Sequence, residues 1–245
     1  MVAFEEERMG WEEMRAGQLE AAEDHFRRAL ELDPERPDSL IGLGVVYLSW
    51  GELEEAEELF QIALLQSEKD LPRRRRRHAG RDPAVQPYLR ALYHLAITYI
   101  RQGLWQDAEL PLRQIVAWDD EGMEGEAFPL LAEACHRLGH LDEAIGYYQA
   151  ALEHDVWSWY SLGALYLAQG ERTAAERVLR HALDQAPEVG QWIMYFPKVV
   201  PLPNGTARDE SFRLAVSYLV DHIDLWPEAL RHELEGIVER SPARS

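Results

Sequence analysis

Apolar residues recur three and four positions apart in short blocks along this chain, as in Ala22, Phe26 and Ala29 and again in Ala56, Phe60 and Ala63, with charged residues between them. That spacing predicts amphipathic helices, each with one buried stripe. The blocks themselves repeat: Gly10, Gly17, Ala22, Phe26 and Ala29 return 34 positions later as Gly44, Gly51, Ala56, Phe60 and Ala63. A period of this length predicts helical hairpins stacked into a solenoid, in which each hairpin buries its apolar face only against its neighbours. Gly or Ala at positions 10, 44, 96, 132 and 163 predicts close approach between the two helices of a hairpin, because a larger side chain there would push the backbones apart. Ala22, Ala56, Ala108, Ala144 and Ala175 serve the same purpose from the partner helix, and glycines at 17, 51, 103, 139 and 170 fall where the chain must turn. No strand-like alternation competes with the helical period.

These columns resemble the tetratricopeptide repeat, whose pattern runs W-x2-L-G-x2-Y, then A-x3-F, then P. The first unit has Met9-Gly10, Ala22, Phe26, Ala29 and Pro34, and the second has Leu40, Leu43, Gly44, Tyr47, Ala56, Phe60 and Ala63. A third copy reads Leu92, Leu95, Ala96, Tyr99, Gly103, Ala108, Leu112 and Ile115. The fourth reads Phe128, Leu131, Ala132, Cys135, Gly139, Ala144, Tyr148 and Ala151, and the fifth Trp159, Leu162, Gly163, Tyr166, Gly170, Ala175, Leu179, Ala182 and Pro187. The resemblance implies an all-α, right-handed superhelical solenoid of about five hairpins over residues 1–189, closed by a C-terminal helical cap. The units fall at about 3–36, 37–70, 89–122, 125–155 and 156–189, with a basic insertion at 71–88 and a distinct segment at 190–245.

Function in such a scaffold is expected along a surface rather than in a small cleft. In the family the first helix of each hairpin lines the concave face. The positions left over from the repeat pattern are Asp38, Ile41, Val45 and Leu48 in unit two, and Arg90, Tyr93, Ile97 and Arg101 in unit three. Unit four contributes Glu126, Glu133, His136 and Arg137, and unit five Trp157, Tyr160, Ala164 and Leu167. This set is mostly apolar and aromatic. It suits an amphipathic helix or extended peptide of a protein partner, contacted by Ile41, Val45, Arg90, Tyr93, Ile97, Arg101, Trp157 and Tyr160. It equally suits burial of these residues by neighbouring helices or by the chain's own C-terminal segment. Relatives that clamp the C-terminal carboxylate of chaperones carry Lys and Asn at paired positions that here hold Glu7 with Trp11 and Ile41 with Val45, so chaperone-tail binding is excluded.

Charge qualifies this picture in one place. The net charge of −19 opposes a surface that wraps nucleic acid along its length. Yet residues 69–90, KDLPRRRRRHAGRDPAVQPYLR, carry eight basic residues and two acidic ones, where the Gly51-to-Gly103 spacing is 52 instead of 34. Pro72, Pro83 and Pro87 break any long helix there, so an exposed, mobile loop is expected. Arg73, Arg74, Arg75, Arg76 and Arg77 then have three readings: a solvated linker, a docking arm for RNA, an acidic protein or an anionic surface, or a nuclear-import signal. No aromatic residue interleaves with them, which argues against stacking on single strands.

Other chemistry finds little footing. There is no Gly-rich phosphate loop, GxSxG elbow or HExxH helix, so no catalytic residue, cofactor or metal site is assigned. His136 and His140 are four apart but flank Gly139 at an expected turn, so one helix face cannot offer both to a metal. The lone Cys135 sits in a packing column and reads as a small buried hydrophobe. Residues 1–10, MVAFEEERMG, lack a leader pattern and no apolar run approaches 18 residues, which points to a soluble cytoplasmic protein. Two lysines stand against 23 arginines, a skew that suggests a high-GC bacterial source. Residues 190–207, hydrophobic and rich in proline, are expected to form a loop that packs onto something, with groove occupation as one outcome. Residues 210–225 and a stretch from Trp226-Pro227 to about Arg240 read as a capping pair of helices.

Overall fold

The computed structural model of this chain describes residues 2–69, 71, 81–118, 125–195, 218 and 220–240, and every regular element among them is helical. The chain divides into two compact units, Met1–Leu138 and Gly139–Ser245. Among the described residues no helix is long and apolar enough to cross a membrane.

The first unit contains α1 (Val2–Arg15), α2 (Leu19–Leu32), α3 (Pro37–Trp50), α4 (Leu53–Glu68), α5 (Gln86–Gln102), α6 (Trp105–Trp118) and α7 (Ala127–Arg137). Successive helices pack in hairpins, α1 with α2, α3 with α4 and α5 with α6, and the first helices also touch one another, α1 with α3 and α3 with α5. Phe26 on α2 and Phe60 on α4 are fully buried at the centres of the first two hairpins. Burying a ring of that size stabilises by about 2–3 kcal/mol, and the glycines opposite make the burial geometrically feasible. A Cβ at Gly10 would lie 2.7 Å from Phe26, and one at Gly44 would lie 2.6 Å from Phe60. The small-residue column of the sequence is therefore a helix-approach device in space as well.

Gly51 and Gly103 end α3 and α5 at φ 85° and 76°. Gly51 N donates to the Leu48 carbonyl at 3.2 Å and Glu52 N to the Tyr47 carbonyl at 3.0 Å. That pair of bonds is the Schellman arrangement, and it satisfies carbonyls that a helix end leaves open. Gly103 and Leu104 repeat it on Ile100 and Tyr99 at 2.9 and 2.8 Å.

The second unit contains α8 (Leu141–Ala151), α9 (Val156–Ala168), α10 (Arg172–Gln185), α11 (Pro187–Tyr195), a 3-10 turn (Ile223–Leu225) and α12 (Glu228–Glu239). Asp155 caps α9, its Oδ2 accepting from Ser158 N at 2.7 Å and its Oδ1 from Trp157 N at 3.3 Å. Every residue of α9 from Tyr160 to Leu167 is buried, because α8, α10, α12 and the 3-10 turn all touch that helix. Two departures from the sequence reading follow. Residues 190–195 belong to a helix rather than a loop: Pro187 is tolerated in its first turn, and Val189, Gly190 and Ile193 bury its inner side. In 210–225, residues 218 and 220–222 are helical as expected while Ile223–Leu225 tighten into the 3-10 turn, and residues 210–217 and 219 lie outside the described residues. α12 matches the expected second capping helix, burying Leu234 and Ile237 against α9, α10 and α11.

Candidate ligand-binding faces of the first helices

In the first unit, the faces of α1, α3 and α5 are joined by a ladder of charged contacts. Glu7 on α1, only 6% exposed, accepts from Arg36 Nε and Nη2, both at 3.0 Å, and from Ser39 Oγ at 2.8 Å. This fork-on-carboxylate geometry raises the Arg36 pKa, chiefly through its hydrogen bonds to Glu7. One step along, Arg90 on α5 donates to Asp38 on α3. Burial raises the Asp38 carboxyl pKa, and the Arg90 guanidinium offsets only part of that rise. Farther along, Arg101 Nη1 donates to the Leu48 carbonyl at 2.9 Å, which ties the end of α5 to the end of α3.

Beside this ladder lie the residues the sequence singled out. Val45 and Ile97 pack on the cluster of Ile41, Phe60, Ala91 and Leu95 while keeping part of their surface in solvent. Tyr93 is half-buried, edge-on to His94 with ring centres 5.5 Å apart. Burial, followed by the nearby Glu126 carboxylate, raises its phenol pKa. Arg90 is half-buried and Arg101 exposed. Ile41 behaves otherwise: it is fully enclosed in the cluster, because α5 lies directly over it. Val45, Arg90, Tyr93, Ile97 and Arg101 are thus brought onto neighbouring helices with access to solvent.

His94 was missed by the sequence reading. It stacks on Phe60, ring centres 5.4 Å apart, and desolvation followed by the Arg90 charge lowers its pKa to about 4. Its Nδ1 and the neighbouring Arg90 Nε are buried with no hydrogen-bond partner. The signal was present in the columns. His94 stands where the second unit has Gly42 and the fifth Ser161, a column that faces the phenylalanine of the preceding hairpin: a Cβ on Gly42 would lie 2.3 Å from Phe26. A ring in a small-residue column marks a place where the stacking differs.

In the second unit, Trp157 and Tyr160 lie on one side of α9, Trp157 half-buried and Tyr160 fully buried. Tyr160 is fully buried; its hydroxyl donates to the Ala186 carbonyl at 2.6 Å, and burial raises its pKa strongly. Tyr218 stacks on Trp157 at 5.4 Å and lies 6.0 Å from the Tyr160 ring. The Tyr218 hydroxyl meets Ser161 Oγ at 3.2 Å and accepts from Trp226 Nε1 at 3.0 Å. Tyr160 is thus enclosed by residues 186–190 and by Tyr218, whereas Trp157 stays half-buried with Tyr218 stacked on it. Arg73–Arg77 lie outside the described residues. Cys135 is fully buried, its thiol 3.8 Å from Glu109 Oε1 and 3.9 Å from Arg113 Nη2, a packed and hydrogen-bonded position.

The tetratricopeptide repeat family profile matches residues 8–70, and a second profile of that family matches 127–157 and 158–191. Among curated proteins, cellulose synthase 1 operon protein C of Komagataeibacter xylinus is 29% identical over 191 residues, 74% of this chain. Cellulose synthase operon protein C of Komagataeibacter sucrofermentans is 37% identical over 71 residues, 29% of this chain. The chain spans 13% and 5% of those two proteins' own lengths. Among solved structures, pilF of Pseudomonas aeruginosa superposes with a TM-score of 0.63 at 18% identity, covering 98% of each chain. YrrB, described as having an unusual peptide-binding site, superposes at 0.59 with 22% identity over 75% of this chain and 86% of its own. At these identities the structural likeness establishes the fold.

Proposed function

Given that the chain belongs to the tetratricopeptide repeat family, we propose that it is a non-catalytic adapter whose first unit holds a helix or extended peptide of a protein partner. The contact surface in this reading is Val45, Arg90, Tyr93, Ile97 and Arg101, supported from beneath by Ile41. Trp157 and Tyr160 would form a second, separate contact surface in the other unit only where Tyr218 leaves them, since Tyr160 is fully buried with Tyr218 in place. The observation that supports the first surface is the incomplete burial of Val45, Tyr93 and Ile97 on helices linked by the Glu7–Arg36 and Asp38–Arg90 pairs. Apolar side chains left partly open on a rigid frame can bind without an ordering cost on the adapter's side. Members of this family generally act as scaffolds, so complementarity rather than turnover is the proposed mechanism. The reading places the protein in a bacterial cytoplasm; the arginine-for-lysine skew and the kinship with Komagataeibacter proteins support the bacterial part. That kinship also makes proteins of bacterial polysaccharide synthesis the first partners to examine.

The test is capture from a bacterial lysate on the native chain and on Tyr93→Glu, at low and high salt, with helical content followed by circular dichroism. A protein retained at high salt by the native chain and reduced at least tenfold by Tyr93→Glu, at unchanged helicity, is the expected result. Equal retention by Tyr93→Glu would overturn the reading. Nucleic acid lost at high salt and with Arg73–Arg77→Ser would move function to the arginine run.

A further inference from the structure

The side of α9 that carries Trp157, Tyr160 and Ser161 has the composition of a site rather than of a helix-packing seam. Its occupant, Tyr218, is 1% exposed and comes from 57 positions beyond Ser161 in sequence, not from an adjoining hairpin. The phenol ring stacks on Trp157, tilted 26° from it, and on His222, parallel to within 4° at 4.6 Å. Its hydroxyl has two partners, Ser161 Oγ at 3.2 Å and Trp226 Nε1 at 3.0 Å. A stacking face from Trp157 and hydrogen-bonding groups at the hydroxyl favour tyrosine: phenylalanine would leave the indole N–H and the serine hydroxyl facing carbon, while His222 belongs to the occupant's own segment. On the α9 side, vacating the site carries a limited polar cost, since the Trp226 N–H belongs to the segment that leaves with Tyr218. A serine in mid-helix can turn its hydroxyl to the carbonyl one turn back, as Ser67 does to Ala63 at 2.7 Å.

We propose that this side of α9 is a recognition site for a tyrosine presented by a partner peptide, and that Tyr218 occupies it in cis, so that partner binding requires displacement of the chain's own residue. The inference rests on the reading that first-helix faces are ligand faces, but it concerns the second unit and stands or falls separately from the surface at Tyr93. The link through Trp226 to α12, which packs on α9, α10 and α11, holds Tyr218 beside the site at an effective concentration on the order of millimolar. A weak free peptide is therefore excluded, and a partner must either bind tightly or find the cis tyrosine drawn away.

The probe is a fluorescently labelled synthetic peptide of the sequence 214–222, Leu-Ala-Val-Ser-Tyr-Leu-Val-Asp-His, titrated into the full native chain and into full-length Tyr218→Ala. Tyr218→Ala is expected to bind it at least tenfold more tightly than the native chain does, and an additional Ser161→Ala change to weaken that binding several-fold. A peptide with alanine at its central tyrosine is expected not to bind. Adding Tyr93→Glu is expected to change nothing, which separates a failure here from a failure of the first-unit reading. Equal binding to native and Tyr218→Ala chains, no binding to a folded Tyr218→Ala chain, or indifference to the peptide's tyrosine would each overturn the proposal. If Tyr218→Ala does not fold, hydrogen exchange of the native chain in millimolar peptide decides instead. Faster exchange at residues 220–222, with α12 still protected, supports displacement; unchanged exchange overturns it.

Discussion

At the scale of single residues, the informative positions are those where a side chain and its column disagree. Gly44 obeys its column, and the missing Cβ is what admits Phe60 at 2.6 Å. Gly44→Ala should therefore lower stability by about 1–3 kcal/mol through displacement of a buried ring, measured as a fall in the thermal midpoint at unchanged helical content. His94 disobeys its column, and its buried Nδ1 has no partner. Its folded-state pKa of about 4 lies below the ordinary value, so between the two the unfolded chain binds more protons than the folded one. Stability from this residue is thus complete above the unfolded pKa, near 6.5, and is lost as pH falls toward 4, at up to about 1.4 kcal/mol per pH unit. Denaturant titrations of the native chain and of His94→Phe at several pH values should show a steeper acid loss in the native chain. Parallel pH profiles would mean that His94 titrates normally. At neutral pH the phenylalanine should cost little, since it keeps the stack on Phe60 and removes an unsatisfied nitrogen.

At the scale of helices, the repeat's glycines and alanines determine how closely helices lie within a hairpin, while charged side chains add specific links between one hairpin's first helix and the next. Glu7 and Arg36 do this for α1 and α3, with the Glu7 side chain 8% exposed and that of Arg36 24% exposed. Glu7→Gln removes the charge but keeps the shape, leaving the Arg36 fork without its carboxylate; a loss of about 2 kcal/mol is expected. A double-mutant cycle with Arg36→Gln measures the coupling, and additivity of the two changes would show that the pair contributes nothing specific. These pairs were only half legible. Glu7, Asp38 and Arg90 could be placed on the groove side from their columns, but which acid meets which base depends on the offset between adjacent helices. That offset is a property of stacking, and Asp38 and Arg90 are 52 positions apart across the basic insertion.

At the scale of the whole molecule, charge is the property that sequence reading handles best. Forty-four acidic residues against 25 basic ones produce a net −19, and self-repulsion of this size opposes the compact state. The apparent thermal midpoint should rise as salt is increased from about 10 mM to 150 mM, where the screening length shrinks to about 8 Å. A midpoint that falls instead would show that exposed ion pairs such as Arg8–Glu5 and Arg172–Glu233 outweigh the repulsion. The partly open surface in the first unit and the closed one in the second differ in the same way at this scale. Both carry aromatic residues on first helices, yet only the second is covered, because Tyr218 and Trp226 reach it from the end of the chain.

The repeat columns by themselves determined the helical hairpins, their resemblance to the tetratricopeptide repeat, where the turns fall and which residues fill the hairpin cores, because those properties follow from residues three, four and 34 positions apart. What only the tertiary structure decided are the contacts between residues remote in sequence: the enclosure of Ile41 beneath α5, the stacking of His94 on Phe60, and the seating of Tyr218 on Trp157. Periodicity is local and says what a helix offers. Which neighbour accepts the offer depends on how far one helix slides past another and where a distant segment returns, and those are settled by the summed packing of the whole unit.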